Sequence, residues 1–293
     1  MEKGNPAEVP VRPAATVMVV DDRPDLHVLL LRRRAGSNFV GGMDVFPGGG
    51  VDPHDADPEV EAVCADLDDA RASERLGLAE DGLAYWVAAT RETFEEAGVL
   101  FARHTEDGRA LDPREPGMEE RLAAERRAVD ASERRLLDVA RDLDLQLTVD
   151  EMHYAAHWIT PLGPPRRYDT RFFVTAMPKG QTSVPDRREA VDSAWVRPVD
   201  ALADFASGAR VMLPPTVGML RVLASYPSGE ALMKAALRDE TGEDERVRML
   251  ALGDGNWDVL LPGDALSDAP AGAKIHDTDA WVRLRRGPLE IGT

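Results

Sequence analysis

Residues 83–97 constrain this chain more than any other stretch. At about 100° per residue, Glu92, Glu95 and Glu96 fall within one arc of about 100°, while Leu83, Trp86, Val87, Phe94 and Ala97 lie opposite. The pattern predicts a helix that buries one face, concentrates negative charge on the other, and stops at Gly98, a good C-cap residue. The small Ala88 and Ala89 beside the acidic arc leave room above it. Three carboxylates so close repel one another, and only Arg91 nearby can offset them. A divalent cation that prefers oxygen, Mg²⁺ or Mn²⁺, resolves the repulsion most simply. The plain alternative is a solvated acidic face.

That alternative has weight because the whole chain is acidic. Among 293 residues, 53 Asp and Glu outnumber 35 Lys and Arg, a formal net charge of −18. A general nucleic-acid binder needs a basic footprint, so the expectation is no nucleic-acid partner. The single Cys64 excludes an intramolecular disulfide and a cysteine zinc cluster, and reads as a small buried apolar residue. No apolar run approaches the ~20 residues of a membrane span. Residues 1–12 hold no apolar signal core. The chain is therefore expected to be soluble and cytoplasmic, with no membrane partner.

Residues 1–13, with three prolines, read as a flexible lead-in. Two strands at 15–20 and 27–31 form a hairpin, a third lies at 43–46, and Gly48-Gly49-Gly50 breaks any regular element. Residues 56–81 read as a peripheral helical excursion. In 118–145, Leu122, Val129, Leu136, Leu137, Val139 and Leu143 recur at helical spacing, as a solvated helical hairpin or a dimer contact. Strands are expected at 157–160, 168–177 and 192–196, helices at 199–207 and 211–238, and short strands within 246–262 and 278–285. The alternation indicates a layered α/β domain rather than a bundle. Residues 226–293 are expected to be an extension packed on it.

Glycines let backbone approach a ligand closely, and here they lead into a helix bearing Arg-Glu-x-x-Glu-Glu-x-Gly. The chain thereby resembles the Nudix hydrolase superfamily, whose box reads G-x5-E-x7-R-E-U-x-E-E-x-G-U, with U a bulky aliphatic residue. With Gly49 as the first glycine, Asp55 takes the first acidic position, and Arg91, Glu92, Glu95, Glu96, Gly98 and Val99 supply the rest. Thr93 replaces the first aliphatic residue. Between Asp55 and Arg91 lie 35 residues instead of seven, so an insertion at about 56–81 splits the box and a second, helical one covers about 112–147.

An interrupted box is similar to that of the peroxisomal, animal coenzyme A diphosphatase-like Nudix proteins and their bacterial relatives. So are Val45–Gly49, His157–Pro161, Arg166–Phe173 and Leu213–Thr216, and together these likenesses imply a Nudix domain over about 14–225. The resemblance implies an α/β/α sandwich with a mixed sheet. It implies metal-dependent hydrolysis of coenzyme A or acyl-coenzyme A, or the same reaction on ADP-ribose, NADH or a nucleoside triphosphate. A non-catalytic ligand sensor is the remaining alternative. It also implies Glu92, Glu95, Glu96 and the Gly48 carbonyl as ligands of Mg²⁺ or Mn²⁺, with Arg91 orienting a glutamate. Glu189 is the candidate fourth acid, as ligand or general base. Arg166 or Arg167, and less directly Arg33, are candidates for a substrate phosphate. A homodimer through 118–145 is a further expectation.

Overall fold

The first two strands, β1 (Val11–Asp22) and β2 (Leu26–Arg33), are apolar on both faces. Ala15, Val17, Val19, Leu29 and Leu31 enter one core, while Met18, Val20, Leu26, Val28 and Leu30 enter another. A strand buried on both sides needs a layer on each face. The computed structural model describes residues 9–34, 41–253, 256–265 and 273–287, and it supplies both layers.

The chain continues through β3 (Asp44–Val45), β4 (Gly48–Gly50), α1 (Asp69–Leu76), α2 (Leu83–Ala97), β5 (Ala102–His104), α3 (Met118–Asp130), α4 (Leu136–Asp142) and β6 (Leu145–Leu147). There follow β7 (His153–Ile159), β8 (Arg167–Ala176), β9 (Ala190–Val196), α5 (Pro198–Ala206), α6 (Pro214–Leu223) and α7 (Gly229–Asp239). Last come β10 (Glu245–Gly253), β11 (Asn256–Leu260) and β12 (Lys274–Val282). The main sheet runs β11-β10-β12-β7-β8-β1-β2-β3, with β4 also pairing β1 and β9 pairing β2. Its pairs are antiparallel except β1 with β8, which makes it a mixed sheet. Residues of α1 to α4 fill the core on one face and those of α5 to α7 the core on the other.

Several expectations change. Residues 1–8 of the lead-in lie outside the described residues, but Val11–Pro13 already belong to β1. The three glycines do not break the backbone: Gly48, Gly49 and Gly50 pair with Thr16, Ala15 and Ala14. Bare glycine is a poor strand former, so only the ladder along β1 makes this segment extended. The excursion after the glycines is not peripheral. It forms two 3-10 turns (Pro53–Ala56 and Pro58–Val63) and α1, and it buries Val60, Val63, Cys64, Leu67, Ala72 and Leu76 in the α2-side core.

The six apolar residues spaced along 118–145 are likewise buried in this chain's own core, none more than 8% exposed. They are neither solvated nor free to form a dimer seam. The strands of the last segment join the main sheet where β12 pairs β7, through Ala280–Trp158, Trp281–His157 and Val282–Ala156. Among the described residues no helix is long and apolar enough to cross a membrane.

Candidate active site

The glutamates are placed by the contact of α2 with β4. The Gly48 amide donates to Glu96 Oε2 at 3.0 Å. A Cβ on Gly49 would lie 2.4 Å from the Glu92 carboxylate, so that position admits glycine alone without displacing Glu92. Ala88 and Ala89 are fully buried in the α2-side core, so they do not leave open space over the acidic arc. Gly98 ends α2 at φ 71°, with its amide donating to the Phe94 carbonyl.

Arg91 ties the two halves of the split box. Its Nε donates to Asp55 Oδ1 at 2.9 Å and its Nη2 to Asp55 Oδ2 at 2.9 Å and the Gly50 carbonyl at 2.7 Å. Its Nη1 reaches Glu92 at 2.9 Å and Glu95 at 3.2 Å. Asp55 itself is 2% exposed and closes a capping box with Asp52 over the turn that begins at Pro53. The aspartate therefore sits where it grips the arginine that aims the glutamates.

Burial lifts Glu96 above the usual carboxylate range; the Glu92 charge adds to this, while the Gly48 amide and Arg33 oppose it. Glu92 and Glu95 are raised too, chiefly by burial, with Arg91 pulling them back. Three crowded carboxylates in a dry setting hold protons or await positive charge. Among the described residues no three Asp, Glu, His or Cys side chains form a preassembled metal cluster. The carboxylates are instead turned onto arginines. The donor set is all oxygen, it meets a glycine cradle, and it carries excess negative charge, so it fits a hard divalent cation.

The other candidates divide. Arg33, at the end of β2, stands 3.6 Å from Glu96 and 2.9 Å from Glu189, which brings both into the site. Glu189 is 61% exposed and sits in a turn where Asp186 accepts from the Glu189 and Ala190 amides. Arg166 is exposed, and Arg167 Nε donates to the Thr160 carbonyl at 3.0 Å within the β7–β8 hairpin. No hydrogen bond or ion pair joins either to the glutamates among the described residues.

Sequence reasoning missed what holds the end of α2. Arg126, on α3, donates to the Glu95 carbonyl through Nε at 2.9 Å and Nη2 at 2.8 Å. The Val184 and Asp186 amides donate to the Ala97 and Glu96 carbonyls. These three contacts satisfy carbonyls that a helix end leaves bare. An apolar spacing singled out α3, but nothing in the sequence marked Arg126 among its charged neighbours.

The chain is similar to known proteins in sequence and in fold. The profile of the NUDT19 Nudix domain matches residues 67–223. The human (Homo sapiens) acyl-coenzyme A diphosphatase NUDT19 is 31% identical over 275 residues, covering 82% of this chain and 72% of the human protein. Its Gallus gallus counterpart is 28% identical over 278 residues, covering 83% and 73%. Among solved structures, a Nudix hydrolase from Alicyclobacillus acidocaldarius superposes with a TM-score of 0.62 at 28% identity, covering 78% of this chain and 97% of that one. The split box, its clamped glutamates and these likenesses place the chain among the Nudix hydrolases, in the NUDT19 family.

Proposed function

We propose that this chain hydrolyses the diphosphate of coenzyme A or an acyl-coenzyme A, giving 3′,5′-ADP and a phosphopantetheine or its acyl form. One observation carries the reading: Glu92 and Glu96 are seated against the glycines of β4, with 3.0 Å from the Gly48 amide to Glu96 and no room for a Cβ at Gly49. The human relative's name as an acyl-coenzyme A diphosphatase supports the choice of substrate.

Glu92, Glu95 and Glu96, with the Gly48 carbonyl, would hold Mg²⁺ or Mn²⁺. A bound ion would polarise the phosphoryl oxygens and activate the attacking water. The protein's own part is positioning. Arg91 fixes the spacing of Glu92 and Glu95 through its paired bonds, and Asp55 and the Gly50 carbonyl fix Arg91. Glu189, exposed and paired with Arg33, which also approaches Glu96, would serve as a further metal ligand or as the general base for the attacking water. The net negative charge supports a small-molecule substrate over a nucleic-acid partner.

The test is turnover with Mg²⁺ and with Mn²⁺ of coenzyme A, acyl-coenzyme A, ADP-ribose, NADH and diadenosine polyphosphates, with products identified by mass. Release of 3′,5′-ADP at the highest kcat/KM from the coenzyme A compounds is expected. Faster turnover of ADP-ribose or NADH would transfer the assignment to that substrate. No turnover of any, with the metal bound, would reduce the chain to a ligand sensor.

A further inference from the structure

Among the described residues two arginines reach the side-chain carboxylates of the glutamate cluster, and they are bound very differently. Arg91 has four partners: Asp55, the Gly50 carbonyl, Glu92 and Glu95. Arg33 has two carboxylates, Glu189 at 2.9 Å and Glu96 at 3.6 Å, and the second is too long for a hydrogen bond. Arg33 Nε is buried with no hydrogen-bond partner among the described residues. Glu96 is divided too: Oε2 accepts from the Gly48 amide, whereas Oε1 stands 3.6 Å from Arg33 Nη1.

We propose that Arg33 is a positioning residue that stands in for the metal. With no ion bound it holds Glu96 and Glu189 together, and an ion arriving at Glu96 Oε1 displaces it toward the phosphoryl oxygens of the substrate. The inference rests on the reading of Glu92, Glu95 and Glu96 as metal ligands. A divalent ion approaches a carboxylate oxygen to about 2.0–2.6 Å with twice the charge, so it outcompetes a guanidinium held at 3.6 Å. Arg33 is fixed at its backbone, where its amide donates to the Met43 carbonyl and its carbonyl accepts from Gly42. Only the side chain has to turn. Turned away from Glu96, its fork offers unpaired donors in the geometry that suits phosphate. Next to it, Arg34 donates to the Arg188 carbonyl and binds the Arg187 carbonyl too, so the loop carrying Glu189 stays in place when Arg33 moves.

The experiment is calorimetric titration of the full chain with Mn²⁺ alone. Arg33→Gln should bind Mn²⁺ about tenfold more tightly than the unaltered chain, about 1.4 kcal/mol, because the ion no longer displaces a partner. Arg33→Lys, which keeps the charge, should stay within about threefold of the unaltered chain. Arg32→Gln removes the same charge one residue away, where it pairs with Asp44 instead, and should also stay within about threefold. Equal or weaker binding by Arg33→Gln, or an equal gain in Arg32→Gln, overturns the proposal. An unaltered chain that fails to bind Mn²⁺ overturns the metal site itself, a separate result. A second measurement needs no variant: phenylglyoxal labelling followed by mass spectrometry, with Arg32 and Arg34 as internal references. Arg33 should react faster with Mn²⁺ present than with chelator, and an unchanged or slower reaction overturns the proposal.

Discussion

Replacing Gly49 or Gly48 by alanine adds the same methyl group at neighbouring positions and should give opposite phenotypes. At Gly49 the new Cβ meets Glu92 Cδ, Oε1 and Oε2, each at 2.4 Å, whereas ordinary contact begins at 3.4 Å. The carboxylate must withdraw by about 1 Å, and it can, because it is the free end of a flexible side chain. Overpacking costs about 1–3 kcal/mol, and loss of Gly entropy in the unfolded chain returns about 0.4–1 kcal/mol. The net loss of about 1 kcal/mol lowers Tm by about 2–4 °C in a domain of this size. On the proposed role of Glu92 as a metal ligand, moving its carboxylate by about 1 Å should cost catalysis about a hundredfold, or about 2.7 kcal/mol.

At Gly48 the Cβ meets the Ala15 carbonyl oxygen at 2.3 Å and Thr16 Cα at 2.7 Å, both β1 backbone, with φ at +153°. Nothing there can turn aside, so a loss of about 3 kcal/mol or more and a Tm fall of about 6–12 °C are expected. Thermal unfolding, Mn²⁺ affinity and kcat on the two variants decide it. Gly49→Ala with unaltered activity, or with a Tm loss equal to that of Gly48→Ala, refutes the claim that Gly49 is glycine for the sake of Glu92.

Glu96→Gln removes the buried charge but keeps the shape, so activity should fall at least a hundredfold while metal-free Tm stays equal or rises; unchanged turnover would count against the ligand role. In metal-free buffer the raised carboxyls bind more protons folded than unfolded, so stability should fall as pH rises from about 4.3, the ordinary glutamate value, until the buried glutamates have ionised. Excess Mn²⁺ should reverse that slope, and melting curves between pH 5 and 8 read both. Arg126→Ala strips two donors from the Glu95 carbonyl and should cost about 1–3 kcal/mol, with a lower kcat and little change in KM; a Tm within 1 °C of the unaltered chain would dismiss it as a clamp.

The helix at 83–97 was legible because its apolar side and its acidic arc share one period, and Gly98 punctuates it. The spacing of the box across an insertion was legible too, since Asp55 and Arg91 do meet. What stayed hidden depended on partners distant in sequence. Gly48–Gly50 become a strand only through the β1 ladder, against their own propensity. The leucines of 118–145 gave the right helical spacing, but periodicity says that a face is buried and not against what. Arg33 was legible as a candidate for a substrate phosphate at a strand exit, but its carboxylate partners were not. Its contacts with Glu96 and Glu189 span 63 and 156 positions; β2 pairing β9 brings up Glu189, and the end of α2 brings Glu96.

The split box raises a question of cost, since Asp55 and Arg91 are 36 positions apart rather than eight. Closing a flexible loop about five times longer costs about 1.4 kcal/mol more, because the penalty grows only with the logarithm of length. Against this, the inserted stretch buries Val60, Val63, Leu67 and Leu76, and each such side chain contributes about 1.5–3 kcal/mol. It also docks onto the helical hairpin: the Ala65 amide donates to the Leu147 carbonyl, while Asp57 and Glu59 pair with Arg135 and Arg141 at 2.8 and 2.7 Å. Those exposed pairs contribute little individually, so the apolar contact decides the balance. The same hairpin carries Arg126 to the Glu95 carbonyl, so the two insertions brace the glutamate helix from its start and from its end. An insertion that merely looped out would leave Asp55 free to drift from Arg91. This one holds the first acidic position of the box where the arginine needs it.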